Sequence, residues 1–575
     1  MKRLYVILIC LSLSSPLMAQ DAPGTITAVF FNVRGDLNDR REVTYSGAPI
    51  NFVAGGAQPS PPGQGNGGLA FDVRGNFYIL PQDILSPDGN LKIFLRLASP
   101  TRDFGDGFPA ASSGFARSAG TDETGLGIPL TSGVVADLKG NIYVAASFDQ
   151  RVRRVDPDGI LRTATGSGER EYPNPNAQDI VRGGFSGDGG PATKAQLNKP
   201  GDVALDTQGN LYVADFGNGR IRMVDREGFI HTFAGNGGKP TDPIGDGGSA
   251  IVAVLTTPVS VAVDLKGNVY VAELYAHRVR KIAPDDQHTI TTFAGTGEKG
   301  FSGDGGAATQ ARLNNPIGLA VDWAGNLYIA DRDNHRIRKV DPTGVITTFA
   351  GNGRSGGGSL GNGGPAIQAQ IEYPRDLAVD AKGYVYISHD VPATGAFTTG
   401  RVRKVSPEKP FEIPSIRLSA TSVPFEATSL NTAVEQAFIV SNAGQETPLL
   451  VELGIEGVAA SEFRVSPTNF AVSPRESQTV TVRFTPTSLR STSARMMVYH
   501  SGAEEKPLTV SLNAVPGTTK SADFDGDSKV GFDDFFLFAA AFGGSGTGDS
   551  AKFDLDGNGK IDFDDFFLFA GRFGR

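Results

Sequence analysis

Two stretches near the C-terminus carry oxygen ligands at a spacing that suits a hard cation. Asp523, Asp525, Asp527 and Asp534 stand at positions 1, 3, 5 and 12 of DFDGDSKVGFDD. Asp554, Asp556, Asn558 and Asp565 take the same places in DLDGNGKIDFDD, 31 residues further on. Side-chain oxygens at alternate positions converge on one ion when the loop coils around it, which is how calcium loops work. Position 7 gives its backbone carbonyl, from Lys529 and Lys560, and Asp562 adds a carboxylate at position 9. The first loop is the poorer, with Ser528 where glycine is preferred and Gly531 at position 9, a place water would fill. Val530 and Ile561 are placed to pair the loops through a shared core.

Residues 521–575 hold eleven Asp against five Lys or Arg, a net −6 within the chain's −9. No core forms there until the carboxylates are neutralised, so folding is expected to require calcium, two ions in all. An acidic solvated tail does not account for the spacing, the duplication or the FFLFA run after each loop. Each loop is followed by one helix only and ends in Asp. In this the segment resembles the type I dockerin family, which implies two calcium ions and docking to a cohesin-like protein, often in extracellular polysaccharide breakdown. On that resemblance the partner-facing residues at positions 10 and 11 are Phe532, Asp533, Phe563 and Asp564. Phe-Asp replaces the small hydroxyl pair usual for cohesin contact, and FFLFA is expected to be half core and half interface.

The elements upstream are organised by a repeat. GNLYVAD (209–215), GNVYVAE (267–273), GNLYIAD (325–331) and GYVYISH (383–389) recur every 58 residues, and GNIYVAA (140–146) and GNFYIL (75–80) extend the series. Each unit runs as in PIGLAVD, GNLYIAD, HRIRKVD, ITTFAG: four short alternating strands between Gly, Asn and Asp-Pro turns. Six such sheets predict a six-bladed β-propeller over 49–410. The sixth unit lacks a fourth strand, and PINFVAGG (49–56) is the expected closing copy, with TITAVFF (25–31) as a competitor. The units resemble NHL repeats, a family of propellers that serve as protein platforms, as ligand binders and, in one branch, as a zinc amidating lyase.

Arg151, Arg220, Arg278, Arg336 and Arg401 hold one repeat position, with Asp215, Glu273 and Asp331 five residues before three of them. Their recurrence in every unit reads as pairs that tie strands together rather than as a catalytic ring. His277 and His335 recur likewise, and the other four His show no zinc spacing. The loops FSGDGGPAT (185–193), FSGDGGAAT (301–309) and LGNGGPA (360–366) lack the Lys-Ser/Thr ending of a phosphate loop and read as inter-blade turns. No catalytic residue stands out.

From 412 to 516 the 58-residue step stops, and Ala437-Ile439, Val480-Val482-Phe484 and Val510-Leu512 predict a sandwich of seven or eight strands. FRVSPTNFAVSPRESQTVTVRFTPTS (463–488) resembles the immunoglobulin-like domains of the abnormal-spindle/hydin type. The fold expected is thus mainly β, with a small α-helical module at the end.

Residues 1–19 read as a signal peptide: Lys2 and Arg3, an apolar run, then Ala19. Cleavage would remove Cys10, the one cysteine, so stability would rest on packing and metal. A pI near 5.4 argues against nucleic acid as a partner. The expectation is a secreted, periplasmic or surface-held binding and assembly protein, with a protein, glycan or peptide ligand on the propeller. The rival reading is a propeller hydrolase or lyase targeted by the same tail.

Overall fold

The computed structural model describes residues 133–169, 183–239, 244–355, 361–392, 398–427, 431–487, 491–503, 507–516, 522–527, 529–555 and 559–573, with short strands before 133. The signal-peptide residues 1–19 lie outside them.

The repeat folds as its pattern predicts. Its fifth unit forms strands Pro316–Val321, Leu327–Asp331, Arg336–Val340 and Val345–Ala350, antiparallel and in chain order. The turn after the first strand explains the constant Asp and Asn. Asp322 Oδ1 accepts from Asn326 N at 2.8 Å, and Oδ2 accepts from Asn326 Nδ2 at 2.7 Å and from Tyr328 OH at 3.1 Å. Gly325 between them has φ +82°, a conformation that a side chain would strain. Six sheets of this kind stand in a ring, with their first strands innermost. Leu69–Phe71, Val134–Ala136, Pro200–Leu205, Pro258–Val263, Pro316–Val321 and Pro374–Val379 touch in that order, and the last meets the first. The ring is closed.

The closing strand is not the one expected. Thr398–Val405 of the sixth sheet pairs with Val385–Pro392 on one edge and with Ile26–Phe31 on the other, Ile26 opposite Val405 and Phe31 opposite Arg401. TITAVFF therefore supplies the fourth strand, and the propeller begins before residue 49. Both edges being taken, PINFVAGG has no place there. Its Pro49 belongs to the hairpin of Thr44–Tyr45 with Ala48–Pro49, and 50–56 lie outside the described residues.

The sandwich has nine strands among the described residues, in sheets of four and five, more than expected. Val480, Val482, Phe484, Val510 and Leu512 are buried as predicted. The strand Val434–Asn442 lies in the opposite register: Phe438 and Val440 face the core and Ile439 is 41% exposed. Phe438 offers more apolar surface than Ala437, and one residue of slip exchanges the faces of the whole strand.

The C-terminal module has two helices, α1 (Phe532–Ala541) and α2 (Phe563–Ala570), around Phe524, Phe538, Phe553, Ile561, Leu568 and Phe569. No helix among the described residues is long and apolar enough to cross a membrane.

Candidate functional site

In the first C-terminal loop, one ligand oxygen from each of Asp523, Asp525, Asp527 and Asp534 lies within 4.8 Å of the others. The chain coils because each carboxylate accepts backbone N–H groups ahead of it. Asp523 Oδ1 takes Gly526 N at 2.7 Å, Asp525 Oδ1 takes Asp527 N at 3.0 Å, and Asp527 Oδ1 takes Lys529 N at 2.8 Å. Asp534 is buried at the start of α1. Its Oδ2 caps Gly531 N at 2.9 Å, and its Oδ1 receives Phe524 N at 2.5 Å and Asp525 N at 3.1 Å. Burial pushes the Asp534 carboxyl up, but these N–H groups outweigh it and hold the group below the ordinary range. At Asp525 the Asp527 N–H pulls down, while desolvation and the carboxylates of Asp527, Asp534 and Asp523 push up more strongly. Converging like charges of this kind are what a divalent cation relieves. Oxygen donors alone suit calcium.

In the second loop, Asp556 and Asn558 lie outside the described residues. Asp554 and Asp565 are buried. Asp554 Oδ2 accepts from Gly559 N at 3.1 Å, and Asp562 and Asp565 form the capping box of α2, with Asp562 N to Asp565 Oδ2 at 2.9 Å. Lys529 and Lys560 are exposed, as carbonyl-only ligands would be. Val530 packs on the core that contains Ile561, but the backbone of Ile561 bonds to Gly543 and Gly544 after α1, not to the first loop.

The predicted contact residues sit together with others that spacing did not single out. Phe532 and Phe563 are 70% and 64% exposed, and one turn on Phe536 and Phe567 are 64% and 51% exposed. Phe532 packs edge-on against Phe573 at 4.9 Å, and Phe563 against Phe542 at 5.0 Å. These are one contact repeated, since 542 and 573 are again 31 apart. Asp533 is exposed, and Asp564 is half-buried. In FFLFA, the second aromatic faces water and the third, Phe538 or Phe569, is core.

In the propeller the ion pairs fall two residues later than expected. Arg153, Arg222, Arg280, Arg338 and Arg403, not Arg151, Arg220, Arg278 and Arg336, are the fully buried guanidiniums. Arg338 Nη2 meets Asp304 Oδ1 at 2.6 Å, and Nη1 meets Asp331 Oδ2 at 3.5 Å. Asp304 is the aspartate of FSGDGG, and the equivalent loops serve their blades likewise: Asp188 meets Arg222 at 2.6 Å and Asp246 meets Arg280 at 2.5 Å, while in the sixth blade Arg403 donates to the amide oxygen of Asn362 at 2.6 Å. Arg336 instead leaves the sheet end. It donates to the carbonyls of Asn334 and Asn352 at 3.1 Å and stacks over Phe301 at 3.8 Å. The arginine at each sheet end and the one within it both belong to structural repeats, as the recurrence implied.

Burial has a consequence for pH. It pushes Asp202 and Asp215 up to about 6 and Asp331 up to about 7, against lowering by their hydrogen bonds. Their unfolded value is near 4, so between pH 4 and 7 the native state binds more protons than the unfolded one. Their stabilisation is full below about pH 4 and is lost as pH rises through 6 to 7. The propeller's unfolding midpoint is therefore expected to fall from pH 5 to pH 8, and the slope to shrink in Asp331→Asn, measured by calorimetry at constant ionic strength.

Comparison with known proteins agrees with the fold. Residues 182–244 and 294–359 match the profile described as the teneurin NHL domain, and 414–513 match that of the abnormal-spindle (ASPM-SPD-2-Hydin) domain. The chain carries an NHL-type propeller and an abnormal-spindle-type sandwich. Teneurin-4 of Mus musculus is 30% identical over 224 residues, 36% of this chain and 8% of teneurin-4. NHL repeat-containing protein 2 of Bos taurus is 32% identical over 166 residues, 27% of this chain and 23% of that protein. The chain thus spans less than a quarter of the curated relatives it matches. Among solved structures, an auxiliary nutrient binding protein from Bacteroides thetaiotaomicron shares 15% identity at a TM-score of 0.36, over 60% of this chain and 69% of its own. Virginiamycin B lyase from Staphylococcus aureus shares 12% identity at a TM-score of 0.32, over 59% and 95%.

Proposed function

We propose that this is an exported, non-catalytic binding and assembly protein. The C-terminal module takes two calcium ions on the loops 523–534 and 554–565, and in that state presents Phe532, Phe536, Phe563 and Phe567 to a cohesin-like protein partner. The propeller recognises a second ligand, a protein or a glycan, through loops on the face that the sandwich leaves open. Clustered loops on a rigid ring make such a surface. The observation that carries the reading is the convergence of Asp523, Asp525, Asp527 and Asp534 within 4.8 Å at calcium-loop spacing. Exposed aromatics beside it are the residues that dominate interface energies.

The test is capture of secreted proteins of the source culture on the immobilised full chain. A protein retained in millimolar calcium, released by chelator and lost in the double variant Phe536→Asp/Phe567→Asp supports the reading. Retention indifferent to both chelator and variant overturns it.

A further inference from the structure

The propeller face that carries the Asp–Asn turns is covered by the sandwich. Lys139 Nζ meets Glu452 Oε1 at 2.5 Å, and Arg226 Nη1 donates to Thr468 Oγ1. Between the two domains lies a cavity of about 300 Å³. That is the lower end of the range for small-molecule sites.

Its propeller wall is a ring of equivalent apolar residues, Ala136, Leu205, Val263, Val321 and Val379, each just before a turn aspartate. The turn aspartates Asp137, Asp206, Asp264, Asp322 and Asp380 also reach it, and Glu452 lines it from the sandwich. Near these carboxylates Lys139 stands by Asp137 and Lys404 by Asp380, and Lys139 pairs with Glu452. Trp323, the chain's single tryptophan, lies in the wall, its Nε1 donating to Ala381 O at 3.2 Å. Phe470 and Val451 form the apolar lid with Asn469 beside them. Asn469 is 7% exposed, and its Oδ1 has no hydrogen-bond partner. Buried amides are almost always bonded, so an acceptor left open in an apolar chamber marks a place for a donor.

We propose that this cavity binds a small apolar amine in its ammonium form. The aliphatic ring and Phe470 enclose its hydrocarbon body, and its N–H donates to Asn469 Oδ1. Confined carboxylates focus a negative potential on the charge, and the indole face of Trp323 attracts cations. The site spans both domains, so the ligand locks the sandwich on the propeller. It does not depend on the calcium reading.

Adamantan-1-amine and adamantan-1-ol, alike in shape and differing in charge, test this on the full chain. Emission of Trp323 and the unfolding midpoint are followed during titration. The amine is expected to shift the emission, raise the midpoint and bind at least ~10-fold more tightly than the alcohol, with affinity falling as salt rises. Asn469→Leu is expected to weaken the amine several-fold, and Val263→Phe, which fills the chamber, to abolish binding while the midpoint without ligand stays near the parent's. No response to millimolar amine, an alcohol that binds equally, or binding undisturbed in Val263→Phe overturns the proposal.

Discussion

Chelation of calcium is expected to melt residues 522–573 while the propeller and sandwich stay folded. The reason is charge. Four carboxylates of the first loop stand within 4.8 Å of one another, at the mouth of a core that is mostly phenylalanine. Two unit charges 4 Å apart interact by about 4 kcal/mol at an effective dielectric of 20. Several such repulsions exceed what a core of this size supplies, since domains of this length rarely hold more than about 3–5 kcal/mol without a staple. Asp534→Ala should act in the same direction. It removes a ligand charge and also the acceptor for Gly531, Phe524 and Asp525 N–H groups. Its calcium affinity is expected to fall by at least ~100-fold, the weakening that loss of one close carboxylate implies. Helical circular dichroism against free calcium reads both effects. Phe536→Ala, at an exposed position, should leave that curve in place.

The second large effect is at Arg338. Its guanidinium is fully buried between Asp304 and Asp331. Arg338→Ala leaves Asp331 buried with no cation and should destabilise the propeller by about 3–5 kcal/mol, the usual result of breaking a buried pair from one side. Arg336→Ala, two residues away, should cost about 1 kcal/mol, because its contacts are carbonyls and a ring at the surface. Pairing Arg338→Met with Asp331→Asn should recover much of the loss, because the charge left behind is then gone. Denaturant unfolding of the three variants separates the two arginines. Equal costs at Arg336 and Arg338 would contradict the assignment of the clamp.

What the sequence made legible was whatever is local and periodic. The four strands of a blade are written in two-residue alternation, and the Asp–Asn turn in the residues that close it. Four copies of the motif 58 residues apart, with two more at wider spacing upstream, give the six sheets. The convergence of Asp523, Asp525, Asp527 and Asp534 was equally readable, because they lie within twelve consecutive residues.

The failures share a cause in distance or in degeneracy. The closing strand pairs Ile26 with Val405, and nothing local in TITAVFF or PINFVAGG says which of two alternating runs will meet an edge so far along the chain. Arg336 and Arg338 alternate on the same face of one strand, so a period of two does not tell the buried one from the one at the sheet end. In the sandwich, Ala437-Ile439 and Phe438-Val440 are both acceptable alternations, and only the packed core selects the second. The seating of the sandwich over the face with the Asp–Asn turns, and with it the cavity at Trp323, joins surfaces that no periodicity describes.

The central claim is that the duplicated acidic loops are calcium sites that build the docking module. Calorimetric titration of calcium into the chelator-treated full chain, with far-ultraviolet circular dichroism on the same samples, tests it most directly. Two ions per chain are expected, with a gain of helix that saturates with the second. No heat and no helix gained at millimolar calcium would contradict it.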